Sequence, residues 1–379
     1  MSEASRPARF LDDIGTEAEE FLSNKEESTL IVGVSLTGER DFRGFRSPNA
    51  EYVQLPETDT IYEIGSFSKV YLASVFAALE TEGVVSLDDP IAKYLPASVR
   101  IPPEISEIRL FDLATHSSGL NRLCKVFAEI VEEEGACGAP TVYLRYRKEH
   151  LYDELGIAEL TYPRGEGWEY SIVGMGLLGH MLELATGEAF EALLRRTICQ
   201  PLGLNDTTYT LSKEQQSRVV RGYESDGTPT PNWYHDVLMP QGGLRSTAED
   251  MLRFAEANIE ASRNGDDSLV SRALRRTREV HLEWPEGYER PPLYGGPEFT
   301  QALSWWGFDG PTGRYWWHPG ATVVYQSAVG IDENAEVALI ALTSNRLNLR
   351  HVENLQVLPT LHRDKWFSRL LADASPVAA

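Results

Sequence analysis

The chain is poor in the features that several protein classes require. It has three cysteines in 379 residues, Cys124, Cys137 and Cys199, and none forms a C-x-x-C pair. That is too few for a disulfide framework and does not suggest a cysteine-built zinc site. The eight histidines show neither H-x-x-x-H nor H-E-x-x-H spacing, so neither a metal nor a cofactor is expected. No apolar run approaches the ~18 residues of a membrane-spanning helix. The first twenty or so residues lack the apolar core of a secretory signal, which points to a cytoplasmic protein. Basic residues are outnumbered, with Lys+Arg 35 against Asp+Glu 57 and a net charge of -22. That balance argues against nucleic acid and anionic membrane surfaces as partners. What remains is a globular chain, 42% hydrophobic and 10% aromatic, able to bury a large core.

Periodicity divides the chain into three stretches. Residues 17–26 read as a short acidic helix. Leu30–Leu36 and Arg40–Phe45 are β-rich runs around a polar, glycine-containing turn, the pattern of a hairpin. Apolar residues from Ser66 to about Glu82 recur near a helical period. The middle, roughly 105–290, is helix-rich, most clearly at 172–186 and 190–198. A helix start is expected with Ser246 as N-cap and Glu249 as the N3 acid of a capping box. Strand candidates then fall at Arg314–Trp317, Thr322–Ile331 and Glu336–Thr343, followed by a helix at about 364–373. The expected fold is α/β of the α+β type: an antiparallel sheet flanked by helices plus an inserted helix-rich domain. Residues 1–104 and 291–379 would form the sheet domain from both chain ends, and 105–290 the insert.

Three short segments can carry chemistry. In Gly65-Ser66-Phe67-Ser68-Lys69, a helix starting near Ser66 puts Lys69 one turn on, on the same face. A serine hydroxyl needs a base to take its proton, and a lysine whose pKa is lowered by burial can serve. Of the seven lysines only Lys69 has serine three residues before it. A capping serine beside a solvated lysine is the alternative reading. Tyr170, in Gly167-Trp168-Glu169-Tyr170-Ser171, can move protons if cations lower its pKa; otherwise it is a packed aromatic. His318, in Trp317-His318-Pro319-Gly320-Ala321 between two strand candidates, can hydrogen-bond substrate or sit as a half-buried sheet histidine. Trp305, Trp306, Trp316 and Trp317 near it suggest either an apolar or sugar-binding pocket or packing at a domain boundary. Gly174–Gly179 is formally G-x-G-x-x-G, but no strand precedes it, so dinucleotide binding is not expected.

The order S-x-x-K, then tyrosine about a hundred residues on, then H-x-G resembles the serine β-lactamase and penicillin-binding-protein superfamily. The likeness is greatest to class C β-lactamases and family VIII carboxylesterases. Leu113–Leu120 (LATHSSGL), Gly187–Phe190 with Gln200–Leu204, and Gln241–Thr247 (QGGLRST) resemble further segments of that group, so the resemblance spans about 28–345. It implies an antiparallel-sheet domain plus a helical domain, with the site in the cleft between them. It also implies Ser66 as acylated nucleophile, Lys69 as its proton partner and Tyr170 as general base and acid. The backbone N–H groups of Ser66 and Ala321 would form the oxyanion hole, and His318 and Gly320 would fill the K/H-x-G motif. Substrate contacts would come from His318, Gly320, Trp305, Trp306 and Trp317.

Two departures bear on substrate. Ile172 stands where lactamases and peptidases of this group carry the asparagine of Y-x-N. His318-Pro319-Gly320 replaces Lys-Thr-Gly, removing the fixed cation and the hydroxyl for a substrate carboxylate. Family VIII esterases resemble this chain at both points. The expected activity is therefore acyl-enzyme chemistry on an ester or amide of a small molecule. Water as acceptor would make it an esterase; an amine or alcohol would make it a transacylase, as in natural-product tailoring. A β-lactamase or DD-peptidase, and a catalytically silent ligand-binding relative, are the alternatives.

Overall fold

The computed structural model describes residues 5–123, 125–134, 140–223, 229–233, 236–263, 265–284, 286–289, 298–344 and 357–374. Its strands are β1 (Thr29–Leu36), β2 (Glu39–Arg46), β3 (Ile61–Glu63), β4 (Arg245–Thr247), β5 (Thr300–Gln301), β6 (Trp306–Gly310), β7 (Gly313–Ala321), β8 (Tyr325–Asp332) and β9 (Val337–Ser344). Seven form one antiparallel sheet in the order β2-β1-β9-β8-β7-β6-β5, and β3 pairs with β4 separately. The expected hairpin is there, with Leu36 opposite Glu39. Its two-residue turn needs positive φ at both positions, and Thr37 (50°) and Gly38 (86°) supply it. β1, β8 and β9 are buried throughout, as apolar runs in the middle of a sheet should be. β2 is an edge, and its exposed charged residues discourage further pairing.

Helices cover both faces. Leu30, Val32, Val34, Leu339, Ala341 and Trp317 pack against the helices Arg6–Asp13 and Gly15–Leu22 and the C-terminal segment around Trp366 and Phe367. Alternate residues, among them Ile31, Ile340 and Leu342, join a second cluster on the other face. Its centre is the helix Ser68–Thr81, buried from Ser68 through Leu79. A helix with almost no polar face has to be enclosed, and this one carries Lys69 inside with it.

Several expectations change. The acidic 17–26 segment is one of two N-terminal helices, Arg6–Asp13 and Gly15–Leu22. Ser246 is not an N-cap. It lies in β4 opposite Tyr62, with its hydroxyl on Thr207. The following helix, Ala248–Arg263, is capped one residue later, where Thr247 Oγ1 accepts the Asp250 N–H at 3.1 Å. Glu249 instead pairs with Arg40 and Arg253. That helix packs on β1, β8 and β9, and Leu269–Glu279 packs on Ser68–Thr81 and on Ala248–Arg263. Among the described residues no helix is long and apolar enough to cross a membrane.

Candidate active site

Ser66 sits in the tight turn Gly65–Phe67 that opens the helix Ser68–Thr81. Lys69 follows in the first helical turn, fully buried. Its Nζ lies 3.2 Å from Ser66 Oγ, 2.8 Å from the Gln241 backbone oxygen and 2.7 Å from Gln241 Oε1. No ion pair joins Lys69 to a carboxylate among the described residues. Burial drives its pKa well below the usual lysine value, and the positive charge of Arg122 pushes the same way. A neutral amine has two N–H bonds and one lone pair. The two Gln241 oxygens take the N–H groups, which leaves the lone pair for the serine proton.

Gln241 is brought there by glycine. The helix Ile172–Thr186 carries the G-x-G-x-x-G run, and its glycines serve packing. A Cβ on Gly179 would sit 2.5 Å from Pro240, and one on Gly176 would sit 2.2 Å from Leu238. Without those side chains the turn Met239–Gln241 can press on the helix and reach Lys69.

Tyr170 immediately precedes that helix, whose N-cap is Ser171, accepting the Gly174 N–H at 2.9 Å. Its backbone is held on both sides by His116. Glu169 N–H donates to His116 O at 3.0 Å, and Ser171 N–H donates to His116 Nδ1 at 3.2 Å. Since Nδ1 accepts, the neutral His116 ring carries its proton on Nε2. The His116 ring lies 4.5 Å from that of Tyr170, centre to centre. Lys69 Nζ is 5.0 Å, and the Arg122 guanidinium carbon 5.4 Å, from the Tyr170 ring centre.

The H-x-G segment lies within β7 rather than between strands. β6 stops pairing at Trp306↔Trp317, while β8 pairs with β7 through Ala321. From His318 onward one edge of β7 has no β6 partner, and this tolerates Pro319, which has no N–H to give. Glycine is required beside Ser66. A Cβ on Gly320 would lie 1.9 Å from Ile64 O, and one on Gly65, at φ +51°, would lie 2.5 Å from Ala321 N. The backbones of Gly65 and Ala321, and of Ile64 and Gly320, are therefore drawn together. His318 is fully buried and stacks on Trp306, with centroids 4.5 Å apart. Its Nδ1 lies 2.6 Å from Pro319 O, and a carbonyl only accepts, so Nδ1 holds the proton and Nε2 is bare. Burial chiefly lowers its pKa to about 3. It is a neutral group at working pH.

The other tryptophans divide. Trp306 is near both His318 and Tyr170, 6.1 Å from the latter. Trp305 packs edge-on to Phe67, fully buried. Trp317 points to the opposite face, its Nε1–H donating to His362 Nδ1 at 3.3 Å. Side chains alternate along a strand, so neighbours of His318 in sequence are not its neighbours in space. Trp305 and Trp317 are both fully buried, and Trp317 stands opposite Trp306 with ring centroids 5.9 Å apart. Gln241, His116 and Arg122 approach the site, and sequence reasoning assigned them no role. Gln241 and His116 lie in the QGGLRST and LATHSSGL segments, which were the available signal; nothing marked Arg122.

An antiparallel sheet with a serine and a buried lysine at the start of its central helix is the layout of the serine β-lactamase fold. Solved structures of similar fold include a β-lactamase/D-alanine carboxypeptidase from Pseudomonas syringae. It has a TM-score of 0.72 and 19% identity, with 94% of this chain and 99% of that one covered. Another, from Yersinia pestis, gives a TM-score of 0.72 and 21% identity, covering 98% and 99%. At such identities the likeness concerns the fold. Residues 19–358 match the family model described as Beta-lactamase, and the chain belongs to the β-lactamase family. Among curated proteins, the D-alanyl-D-alanine-carboxypeptidase/endopeptidase AmpH of Escherichia coli (strain K12) is 30% identical over 255 residues. That match covers 65% of this chain and 63% of AmpH, somewhat under two thirds of that protein's length. Esterase EstB of Burkholderia gladioli is 25% identical over 293 residues, covering 66% and 73%.

Proposed function

We propose that the protein is a serine acyl-enzyme hydrolase or acyltransferase acting on an ester or amide of a small molecule. The observation that carries this reading is the buried Lys69 Nζ, 3.2 Å from Ser66 Oγ and without a carboxylate partner among the described residues. Ser66 Oγ attacks the carbonyl carbon as Lys69 accepts its proton. The N–H groups of Ser66 and Ala321 hold the oxyanion, a contribution of about 3 kcal/mol per donor. Tyr170 passes a proton to the leaving group as the acyl-enzyme forms, then takes one from the acceptor that releases it. Water gives an esterase, and an amine gives ester-to-amide transfer.

The names of AmpH and of the lactamase structures keep a β-lactamase or DD-peptidase as the second reading. A neutral, buried His318 and the apolar Ile172 speak against it, because neither attracts a carboxylate or binds an amide. The test is intact mass of wild type and Ser66→Ala after incubation with short-chain p-nitrophenyl esters, with and without an added amine. Nitrophenol release by wild type alone, with a transient acyl adduct, is the expected result; an amide product would identify a transacylase. Inactivity of both, with no adduct from any ester or fluorophosphonate, sinks the mechanism and leaves a ligand-binding relative. Turnover of a chromogenic cephalosporin faster than the esters moves the protein to the second reading.

A further inference from the structure

Lys69, His116 and His318 are buried, so none of them presents a charge at the mouth of the site. Arg122 is exposed, and its guanidinium lies against the Tyr170 ring. Burial chiefly, and the Arg122 charge in addition, lower the proton affinity of Lys69 and His116. The backbone that carries it is anchored. Arg122 N–H donates to Glu169 Oε1 at 3.0 Å, and Arg122 O accepts the Ile172 N–H at 3.2 Å. The Glu169 carboxylate is thus turned to the backbone N–H and forms no ion pair with the guanidinium. Nor does any other carboxylate among the described residues, whereas Arg40, Arg109, Arg218 and Arg278 each hold one. In a chain of net charge -22 this cation stands beside the Tyr170–Lys69 pair without an acid to neutralise it.

We propose that Arg122 is a specificity-determining residue that binds a carboxylate on the substrate, directing the chemistry at Ser66 to carboxylate-bearing esters or amides. This rests on the acyl-enzyme reading above. A guanidinium presents paired N–H donors that match the two oxygens of a carboxylate, and stacking on Tyr170 holds the fork in place. The substrate's charge is then read from the segment after Leu120. β7 does not read it, because His318 there is neutral.

The test pairs charged and neutral esters: p-nitrophenyl hemiglutarate with p-nitrophenyl butyrate, and 4-(butyryloxy)benzoate with phenyl butyrate. The two charged esters place the carboxylate on the acyl and leaving-group sides respectively. Wild type is expected to prefer one of the charged esters. The kcat/KM ratio of that ester to its neutral partner should fall about tenfold in Arg122→Ala, mainly through KM, with partial recovery in Arg122→Lys. Binding of both charged esters to Ser66→Ala and to Ser66→Ala/Arg122→Ala, by calorimetry, needs no turnover; about tenfold weaker binding of one of them in the double variant is expected. A wild type that turns over nothing therefore overturns the acyl-enzyme reading while the binding arm still decides Arg122. Equal binding in the two Ser66→Ala forms, or a charged-to-neutral ratio unchanged by Arg122→Ala, overturns this proposal.

Discussion

Two buried cations in this protein are treated in opposite ways. Arg278 is enclosed beside the helix Ala248–Arg263 and satisfied in full. It pairs with Glu333 at 2.5 Å and donates to Asn258 Oδ1, Asn258 O at 2.7 Å, Leu274 O at 2.8 Å and Ser262 Oγ at 3.0 Å. Lys69 is just as deeply enclosed but meets only neutral oxygens. A buried charge without a counter-charge is costly, and lysine avoids the cost by losing its proton. Arginine cannot lose its proton at working pH, so it has to be compensated. The same burial thus demands a counter-charge in one place and favours the neutral amine in the other.

That contrast can be broken from either end. The largest effect is expected for Lys69→Met, which removes the base at nearly constant volume. Ester turnover should fall by about 10³-fold, while the melting temperature holds or rises because no charge pair is lost. A fall in stability matching that of Arg278→Met, read by thermal unfolding, would equate the two cations and defeat the comparison. Gln241→Glu gives Lys69 the counter-charge it lacks. An adjacent carboxylate favours the ammonium and raises the pKa. Activity at neutral pH should drop about 10- to 100-fold, and the alkaline-rising limb of kcat/KM should move up by about one to two units. An unmoved limb means that Lys69 is not the group titrating there.

Smaller effects test the structural side. Glu333→Gln leaves Arg278 with its neutral partners and should cost about 2 kcal/mol in urea unfolding, with no shift in the pH–rate profile. Buried neutral histidines add a pH dependence to stability. His318 and His362, both enclosed, have folded values of about 3 against an ordinary 6.5. Above pH 6.5 neither form binds the proton and stability is fully present. Below it the unfolded chain binds protons that the native one refuses, so stability falls as pH falls toward 3. Each histidine contributes about 1.4 kcal/mol per pH unit in that window. His362→Gln should flatten the slope by one proton, as measured by unfolding at pH 7.5, 6 and 5, without altering the rate profile.

Legibility in the sequence followed the range of the interaction. The hairpin, the helix after Ser66 and the last three strands are visible because each writes its own period or turn chemistry into adjacent residues. Ser66–Lys69 is visible for the same reason, since one helical turn joins them. Ser246 misled because a capping pattern and a strand end look alike over four residues; the pairing with Tyr62 and the bond to Thr207 come from distant segments.

The sequence by itself determined the elements, their order and the one-turn spacing of Ser66 and Lys69, because periodicity, turn residues and helical spacing act locally. Only the tertiary structure decided what those residues become. It encloses Lys69 with Gln241 from 172 residues away and without an acid. It buries His318 as a neutral ring, pins Tyr170 through His116, and leaves Arg122 exposed with no carboxylate partner among the described residues. Proton affinity depends on solvent exclusion and on charges brought near by folding, and neither is encoded in any short stretch of chain.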